Sequence, residues 1–381
     1  TTEIYTLSLH DALPICDGAA SSLSAGGLTF FAGIGSGARG HLGGSAPGRE
    51  GNPGTVVILE FGGPEETTGS GSSTASVRGS LASYTTGGEL TSTETDTVDK
   101  FAYASENNIV TVGSLQVIGI HTSCQSATDA YSMYYGATGQ SVGVTHGVIS
   151  KISFSNDTVA ATDGGSPAQT HVNGTTAHSS ETNGYWAGGN ATEPGQGRRI
   201  SKFSFANNTE TTVLSTLLAG HGGGVAGASD FSTGGYVWGN FPNISSIDKF
   251  SFVSDTNSTG HGDLAEAQRD MTGQSGETHA YTCCGFNGAA FRTAIDKFAY
   301  ASNVTATNVA SIGIMQLASG TASTFGNGYV AGGNLTGGFG SPVTGKQSVI
   351  RRNSHTNDTD AIDVGNLSSA RSHFGGCGAC V

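Results

Sequence analysis

A short run of apolar and polar residues recurs along this chain. Its clearest copy is residues 247–252, which read Ile-Asp-Lys-Phe-Ser-Phe. The lysines of this copy and of four near-copies lie at positions 100, 151, 202, 249 and 297, so the steps between them are 51, 51, 47 and 48 residues. A period of roughly 40–50 residues built from short strands is typical of arrays and propellers.

This phrase predicts a strand that is covered on both faces. Successive side chains of a strand point to opposite faces, so Phe250 and Phe252 share one face and Ile247 lies on the other. A sheet with one face in water would alternate cleanly between apolar and polar residues. We therefore expect each phrase to lie in a sheet that is sandwiched between two others.

Two further elements recur with the phrase. An aromatic residue followed by glycines precedes it, as in residues 184–189 and 328–333, and weaker forms beginning at Phe30 bring the number of these elements to seven. A turn rich in Asn, Asp, Ser and Thr follows it, as in residues 156–158. Because Asn and Asp tolerate left-handed backbone, these turns predict hairpin tips. Each repeat is thus expected to hold four short antiparallel strands.

The repeats predict an all-β fold, a β-propeller of about seven four-stranded antiparallel blades. The phrase reaches seven copies when residues 56–61 and 349–352 are included, with Arg351 in the lysine column. Closing the ring removes the open ends that a row of sheets would leave. Eight blades or a truncated propeller are the alternatives. Residues 371–381 look like a first strand, which either closes the ring against the N-terminal blade or marks a chain cut at both ends.

Composition supports the all-β prediction and excludes some partners. Charged residues make up 12% of the chain, against about 25% in ordinary soluble domains. The net charge of −13 argues against a nucleic-acid partner, which needs clustered Lys and Arg. No stretch approaches the roughly 20 apolar residues of a membrane span, so we expect no membrane insertion.

Paired glycines close the second strand of several repeats, at Gly87-Gly88, Gly188-Gly189 and Gly332-Gly333. In this the chain resembles the kelch-like propeller family over about residues 20–381, although the family's downstream Tyr and Trp columns are missing. The resemblance implies a single kelch-like β-propeller domain over residues 17–381.

A narrower resemblance concerns three phrases: Tyr-x-x-Gly-Gly, Ile-x-Lys-Phe-x-Phe, and Leu-x-x-Ala-Arg at residues 367–371. These are similar to phrases of propeller proteins encoded by large tailed phages of water environments. The resemblance implies a virion or extracellular location in a tail or fibre. The implied partners are a host surface glycan or other virion proteins.

Residues 5–15 resemble a common sequencing-adapter oligonucleotide translated in one frame. On this interpretation residues 1–16 are a non-biological segment, and neither His10 nor Cys16 belongs in any site argument.

Motifs that suggest catalysis lack the context that the chemistry needs. Residues 35–40 fit a dinucleotide fingerprint, but the Gly- and Pro-rich segment after them cannot form the required helix. Residues 139–143 fit a nucleophile elbow without its strand–turn–helix setting. We interpret Cys283, Cys284, Cys377 and Cys380 as small buried cysteines. No catalytic residue, metal or cofactor is therefore predicted.

The loops that differ between repeats are the predicted ligand surface. Loops between second and third strands supply Arg39, His41, Arg49, Glu193, Arg198 and Arg199, and inter-blade loops at the same end supply His221 and Arg269. The lysine column could line a channel, but we favour a role in the frame, with each stem lying along the neighbouring blade.

Three classes of function remain open. The favoured hypothesis is a non-enzymatic recognition or structural propeller that contacts a host surface. The alternative is an extracellular carbohydrate-active or copper-dependent propeller enzyme, which needs converging metal ligands or a carboxylate pair. An intracellular adaptor ranks last.

Overall fold

The structure is a computed structural model, and it describes residues 21–25, 28–32, 81–91, 93–106, 109–136, 148–157, 159–160, 174–189, 196–314, 319–336, 344–372 and 375–377. The chain divides into two compact units, residues 1–77 and 78–381. In the first unit, β1 (Ser21–Ala25) pairs antiparallel with β2 (Leu28–Ala32). The predicted boundary after residue 16 and the phrase at residues 56–61 lie outside the described residues.

The second unit is an all-β propeller. Blade 1 contains β3 (Ala82–Glu89), β4 (Glu94–Ala102) and β5 (Val110–Ser114), together with a strand from the C-terminal part of the chain. Blade 2 contains β6 (Ile120–Gln125), β7 (Asp129–Gly136), β8 (Ile149–Ser153) and β9 (Val159–Ala160). Blade 3 contains β10 (Thr175–Ser179), β11 (Asn183–Gly188), β12 (Arg199–Ser204) and β13 (Thr209–Thr216).

The later blades repeat this arrangement. Blade 4 contains β14 (Ala226–Ser229), β15 (Gly234–Trp238), β16 (Ile244–Ser251) and β17 (Thr259–Gln268). Blade 5 contains β18 (Thr272–Ser275), β19 (His279–Cys283), β20 (Ala294–Ala299) and β21 (Thr307–Ser311). Blade 6 contains β22 (Gly320–Ser323), β23 (Asn327–Ala331), β26 (Val349–Ser354) and β27 (Thr359–Asn366), with a small hairpin of β24 (Asn334–Thr336) and β25 (Thr344–Lys346) between its second and third strands.

A C-terminal strand closes the ring. The strand β28 (Gly375–Cys377) pairs antiparallel with β3 and becomes the inner strand of blade 1. The innermost strands then contact each other all the way round, from β28 through β6, β10, β14, β18 and β22 back to β28. The described residues therefore form a closed ring of six four-stranded blades. The predicted number of seven is corrected to six for this ring, because β28 fills the place at which a further blade would begin.

Stacked aromatic rings join neighbouring blades. The last aromatic position of each phrase packs on the tyrosine in the second strand of the preceding blade, with ring centroids 4.1–5.3 Å apart. The six pairs are Tyr84–Phe154, Tyr131–Phe205, Tyr185–Phe252, Tyr236–Tyr300, Tyr281–His355 and Tyr329–Tyr103. The last pair joins blade 6 to blade 1. The interface that closes the ring therefore has the same aromatic stack as the other interfaces between blades.

The prediction of a strand covered on both faces is confirmed. Phe250 and Phe252 pack in a buried cluster with Tyr185 of blade 3, whereas Ile247 packs in another with Phe298 of blade 5. The inner strands are further joined by serine hydroxyls that accept backbone N–H groups of the preceding blade. Ser179, Ser229, Ser275 and Ser323 accept at 2.9–3.2 Å.

The lysine column, which is the lysine of each repeated phrase, makes contacts between neighbouring blades. The sequence analysis favoured this structural role over a channel lining. In this column, four cations pair with a carboxylate on the turn between the third and fourth strands of the next blade: Lys100–Asp157, Lys202–Asp255, Lys297–Asp358 and Arg352–Glu106. Arg352 occupies the column because it lies opposite Tyr329, as Lys249 lies opposite Tyr236. The prediction that Arg351 stands there is wrong by one residue.

Among the described residues, no helix is long and apolar enough to cross a membrane.

Candidate functional site

One end of the propeller carries its variable loops. Because the four strands of a blade run antiparallel in sequence order, the loop between the second and third strands and the connection to the next blade leave at the same end. We call this end the loop face. The turns that carry the lysine-column carboxylates lie at the opposite end.

The predicted ligand residues fall into three groups. Arg39, His41, Arg49 and Glu193 lie outside the described residues. Arg198 is exposed at the end of a short 3-10 turn, Gln196–Arg198, and Arg199 is half-buried at the start of β12. His221 and Arg269 both lie on connections between blades, but their surroundings differ.

His221 is fully buried and does not reach the loop face. Its Nδ1–H donates to the carbonyl oxygen of Gly239 at 2.8 Å, and its Nε2 lies 3.5 Å from a carboxylate oxygen of Asp248. Asp248 is itself buried and accepts from the backbone N–H of Ala219 at 2.9 Å. A buried carboxylate needs such partners because water no longer solvates it. We therefore assign His221 to the frame between blades 3 and 4.

The same contact closes the ring between blades 6 and 1. Arg371 and Asp99 are both fully buried, and Arg371 Nη2 lies 3.0 Å from Asp99 Oδ2. Burial lowers the pKa of Arg371, and the neighbouring Asp99 opposes this effect. Arg371 thus corresponds to His221, four residues after a buried leucine in each case.

Arg269 does not occupy this inter-blade position, although the sequence placed it there. Gln268 stands four residues after the buried Leu264, is itself fully buried, and accepts from Arg292 at 3.4 Å. Arg292 also contacts Asp296, the buried carboxylate of blade 5, at 3.0 Å. Arg269 follows by one residue the buried position that His221 and Arg371 occupy in their blades. It lies on the loop face.

Arg269 is held between two aromatic rings. Its guanidinium carbon lies 4.6 Å from the ring centroid of Phe241 and 4.8 Å from that of Phe286. Its Nε donates to Asp270 at 3.2 Å, and its Nη1 lies 3.4 Å from the side-chain oxygen of Asn243. Stacking and hydrogen bonding together fix a side chain that is otherwise rich in rotamers. We call Phe241, Asn243, Arg269, Phe286 and Phe291 the Phe241 platform.

The backbone beneath the platform is also fixed. Arg269 and Phe286 exchange two backbone hydrogen bonds of 3.1 and 2.8 Å, and Phe286 forms a second bridge to Phe291. Asn243 Nδ2 donates to the carbonyl oxygen of Phe286 at 3.0 Å. Loops of blades 4 and 5 are thus joined into one surface.

The platform exposes a large aromatic ring. Phe241 is 56% exposed, and it is the one aromatic ring among the exposed large apolar side chains of the described residues. One ring face covers the guanidinium of Arg269, so the rest of the ring is available to a ligand. The arrangement can offer an apolar surface to a ligand, with hydrogen-bonding groups beside it.

The sequence named Arg269 but missed its aromatic partners. Phe241 and Phe286 lie in the loops between second and third strands of consecutive blades, and Phe241 precedes Pro242. An aromatic residue at that place in two neighbouring repeats was the available signal.

Among the described residues, no group of three or more His, Cys, Asp or Glu side chains is placed to hold a metal ion.

Comparisons with known proteins show the fold alone. No family model matches the chain, and no curated protein matches its sequence. It is similar to a solved structure titled "Structure of YjhT", with 13% sequence identity and a TM-score of 0.50. The match covers 68% of this chain and 87% of the other. At this identity the similarity supports the β-propeller architecture.

Proposed function

We propose that this chain is a recognition propeller that binds a surface glycan at its loop face, through the Phe241 platform. The observation that carries the proposal is the stack of Phe241, Arg269 and Phe286, in which an exposed ring and a fixed guanidinium lie side by side. The pyranose ring of a sugar has an apolar face that packs on an aromatic ring and hydroxyls that need hydrogen-bond partners beside it.

The rigidity of the platform supports binding. Bridges between Arg269, Phe286 and Phe291 hold the loops in place before any ligand arrives. A ligand therefore does not bear the entropic cost of ordering these side chains, which is about 0.5–1.5 kcal/mol for each flexible one.

The wider biological setting is part of the same proposal. The repeat phrases at residues 247–252 and 367–371 support a kelch-like propeller of a phage virion that contacts a host surface. The measurement that tests this setting is the sequence around the gene. Capsid or tail genes beside it are expected, and a neighbourhood of metabolic genes alone would contradict it.

Binding is tested with a glycan array of bacterial surface polysaccharides, probed with the labelled full chain. We expect discrete binding that Phe241→Ala weakens about tenfold or more, equivalent to about 1.4 kcal/mol. Arg269→Lys keeps the charge but loses the planar group that stacks on the rings, so it should also weaken binding.

The matched control is Val253→Ala. Val253 is 81% exposed and lies on the turn between β16 and β17, at the opposite end of the same blade. A silent array would reject glycan recognition. Binding that Phe241→Ala leaves unchanged would place the site elsewhere. Stoichiometric copper in the purified protein would instead favour the enzyme alternative.

A further inference from the structure

Two adjacent cysteines lie at the end of the second strand of blade 5, and the second of them stands where sister blades have glycine. Cys283 ends β19, and Cys284 follows it with a φ of 61°. The corresponding residues of blades 3, 4 and 6 are Gly188, Gly239 and Gly332, with φ values of 75°, 79° and 60°. A left-handed backbone is strained for a residue that carries a Cβ, whereas glycine adopts it freely. The cysteine at position 284 therefore needs an explanation that the fold alone does not give.

The unusual backbone turns both side chains to the same side. In a regular strand, neighbouring side chains point to opposite faces. Here a Cβ placed on Gly188 would meet His221, and one placed on Gly239 would meet Met271; both of these residues lie on the connection to the next blade. Cys284 accordingly joins Cys283 in one buried cluster that includes Val330 of blade 6. Both cysteines are thiols in this structure.

We propose that Cys283 and Cys284 form a vicinal disulfide when the chain folds in the presence of a molecular disulfide such as oxidised glutathione. The thiolate of one cysteine attacks the oxidant, forms a mixed disulfide and releases one thiolate. The second cysteine then attacks the protein sulfur of that mixed disulfide and releases the second thiol. The two cysteines lose two electrons and two protons, and the oxidant becomes two thiols.

Burial sets the time at which this exchange occurs. Both side chains are at most 1% exposed once blades 5 and 6 are in contact. Burial raises the pKa of the Cys283 thiol, so the reactive thiolate becomes scarce in the folded protein. The disulfide is therefore formed during folding and is protected from reductants afterwards. It would hold Cys284 in the left-handed conformation that glycine adopts freely.

The chain offers a direct test by peptide mass. Trypsin cleaves after Arg269 and Arg292, and the peptide 270–292 contains these two cysteines and no other cysteine, lysine or internal arginine. The full chain is folded with oxidised glutathione, denatured with an alkylating reagent and digested. We expect this peptide to lack alkyl groups and to be lighter by two hydrogen atoms than the unmodified sequence.

Two variants make the result specific. Cys284→Gly restores the residue of the sister blades, folds without the backbone strain, and should give the same peptide carrying either one alkyl group or one glutathione, with no internal disulfide. Cys283→Ala should give the same result. The proposal is overturned if the unsubstituted peptide carries two alkyl groups after folding with the oxidant, or if either cysteine is linked to a different peptide.

Discussion

At the scale of single residues, the buried tyrosines connect each blade to the next. Tyr185 stacks on Phe252 with centroids 4.6 Å apart and planes 18° apart, and its ring lies 5.6 Å from Phe250. Burial raises the pKa of Tyr185 to about 12, so the hydroxyl stays protonated at physiological pH. It lies 3.4 Å from the carbonyl oxygen of Phe252, to which it donates. One side chain thus satisfies packing and hydrogen bonding together.

Phe250→Ala tests this packing. The ring is 2% exposed and contacts Tyr185 and His178, while a Cβ on Gly235 would lie 2.3 Å from it. The neighbours therefore have little freedom to fill the space that the ring leaves. We expect a loss of about 3–5 kcal/mol in the free energy of unfolding, measured by chemical denaturation. Phe241→Ala, which removes an exposed ring, is the control and should cost much less; equal losses would reject the sandwiched strand.

At the scale of elements, the repeated phrase predicted a strand and the sheets that cover this strand on both faces. The alternation of Ile247 and Phe250 was sufficient, because a strand with period two can satisfy it only between two sheets. The lysine column was interpreted correctly as frame, but its alignment failed in blade 6, where Asn353 and His355 replace the two aromatic residues. Gln274 of blade 5 bonds both of these side chains, at 2.9 and 3.1 Å. This compensation comes from another blade and could not be predicted from the local sequence.

Among the residues that the structure describes, the interfaces of blades 2 and 3 and of blades 4 and 5 lack the ion pair of the lysine column. The paired carboxylate stands six residues after the column cation of its own blade, as Asp157 follows Lys151. In blades 3 and 5 this place holds Asn208 and Asn303. Lys151 pairs instead with Asp129 of its own blade at 3.2 Å, and Lys249 lies over the ring of Tyr236 at 5.1 Å.

The double variant Asn208→Asp with Asn303→Asp should supply the missing carboxylates. Asn208 has a φ of 54°, close to the 58° of Asp157, and Asp tolerates this conformation. Because the sites are partly exposed, we expect a gain of about 0.5–1 kcal/mol in total at low salt that falls as salt is added. Chemical denaturation at two salt concentrations measures it. The control for Asn208→Asp alone is Asn207→Asp, which adds the same single charge one residue away and should give no gain; an equal gain there would reject the ion-pair explanation.

At the scale of the whole molecule, ring closure and the loop face were the least predictable features. The sequence left open whether residues 371–381 close the ring, because a strand's partner is set by the fold and not by its own pattern. The Phe241 platform combines residues from two blades and from the connection between them, so no single repeat contains it. Differences between repeats indicated where to look, but the stack of Phe241 on Arg269 required the three-dimensional arrangement.

Three buried histidines make the whole propeller sensitive to acid. Burial lowers the pKa of His121, His178 and His355 to about 4 in each case, against about 6.5 in an unfolded chain. His121 donates to the carbonyl oxygen of Val117 at 2.9 Å, and His178 to that of Ala228 at 3.0 Å. His355 stacks on Tyr281 with centroids 4.1 Å apart. The three rings lie at three different blade interfaces, so protonation acts on half of the six interfaces of the ring.

We therefore expect stability to fall as the pH is lowered from about 6.5 to 4. In this pH window the histidines are protonated in the unfolded chain but stay neutral in the folded protein. The stability that they contribute at neutral pH is therefore lost as the pH falls. Each histidine contributes up to about 3 kcal/mol, and the three together approach the whole stability of a typical domain. Chemical denaturation between pH 7 and 4.5 measures the effect, before most carboxylates titrate. His355→Phe, which restores the aromatic residue of sister blades, should reduce the slope of stability against pH by up to about one third, whatever it does to stability at neutral pH, because burial also lowers the pKa of His261 and His279. An unchanged slope would show that His355 takes up its proton equally well in the folded and unfolded chain.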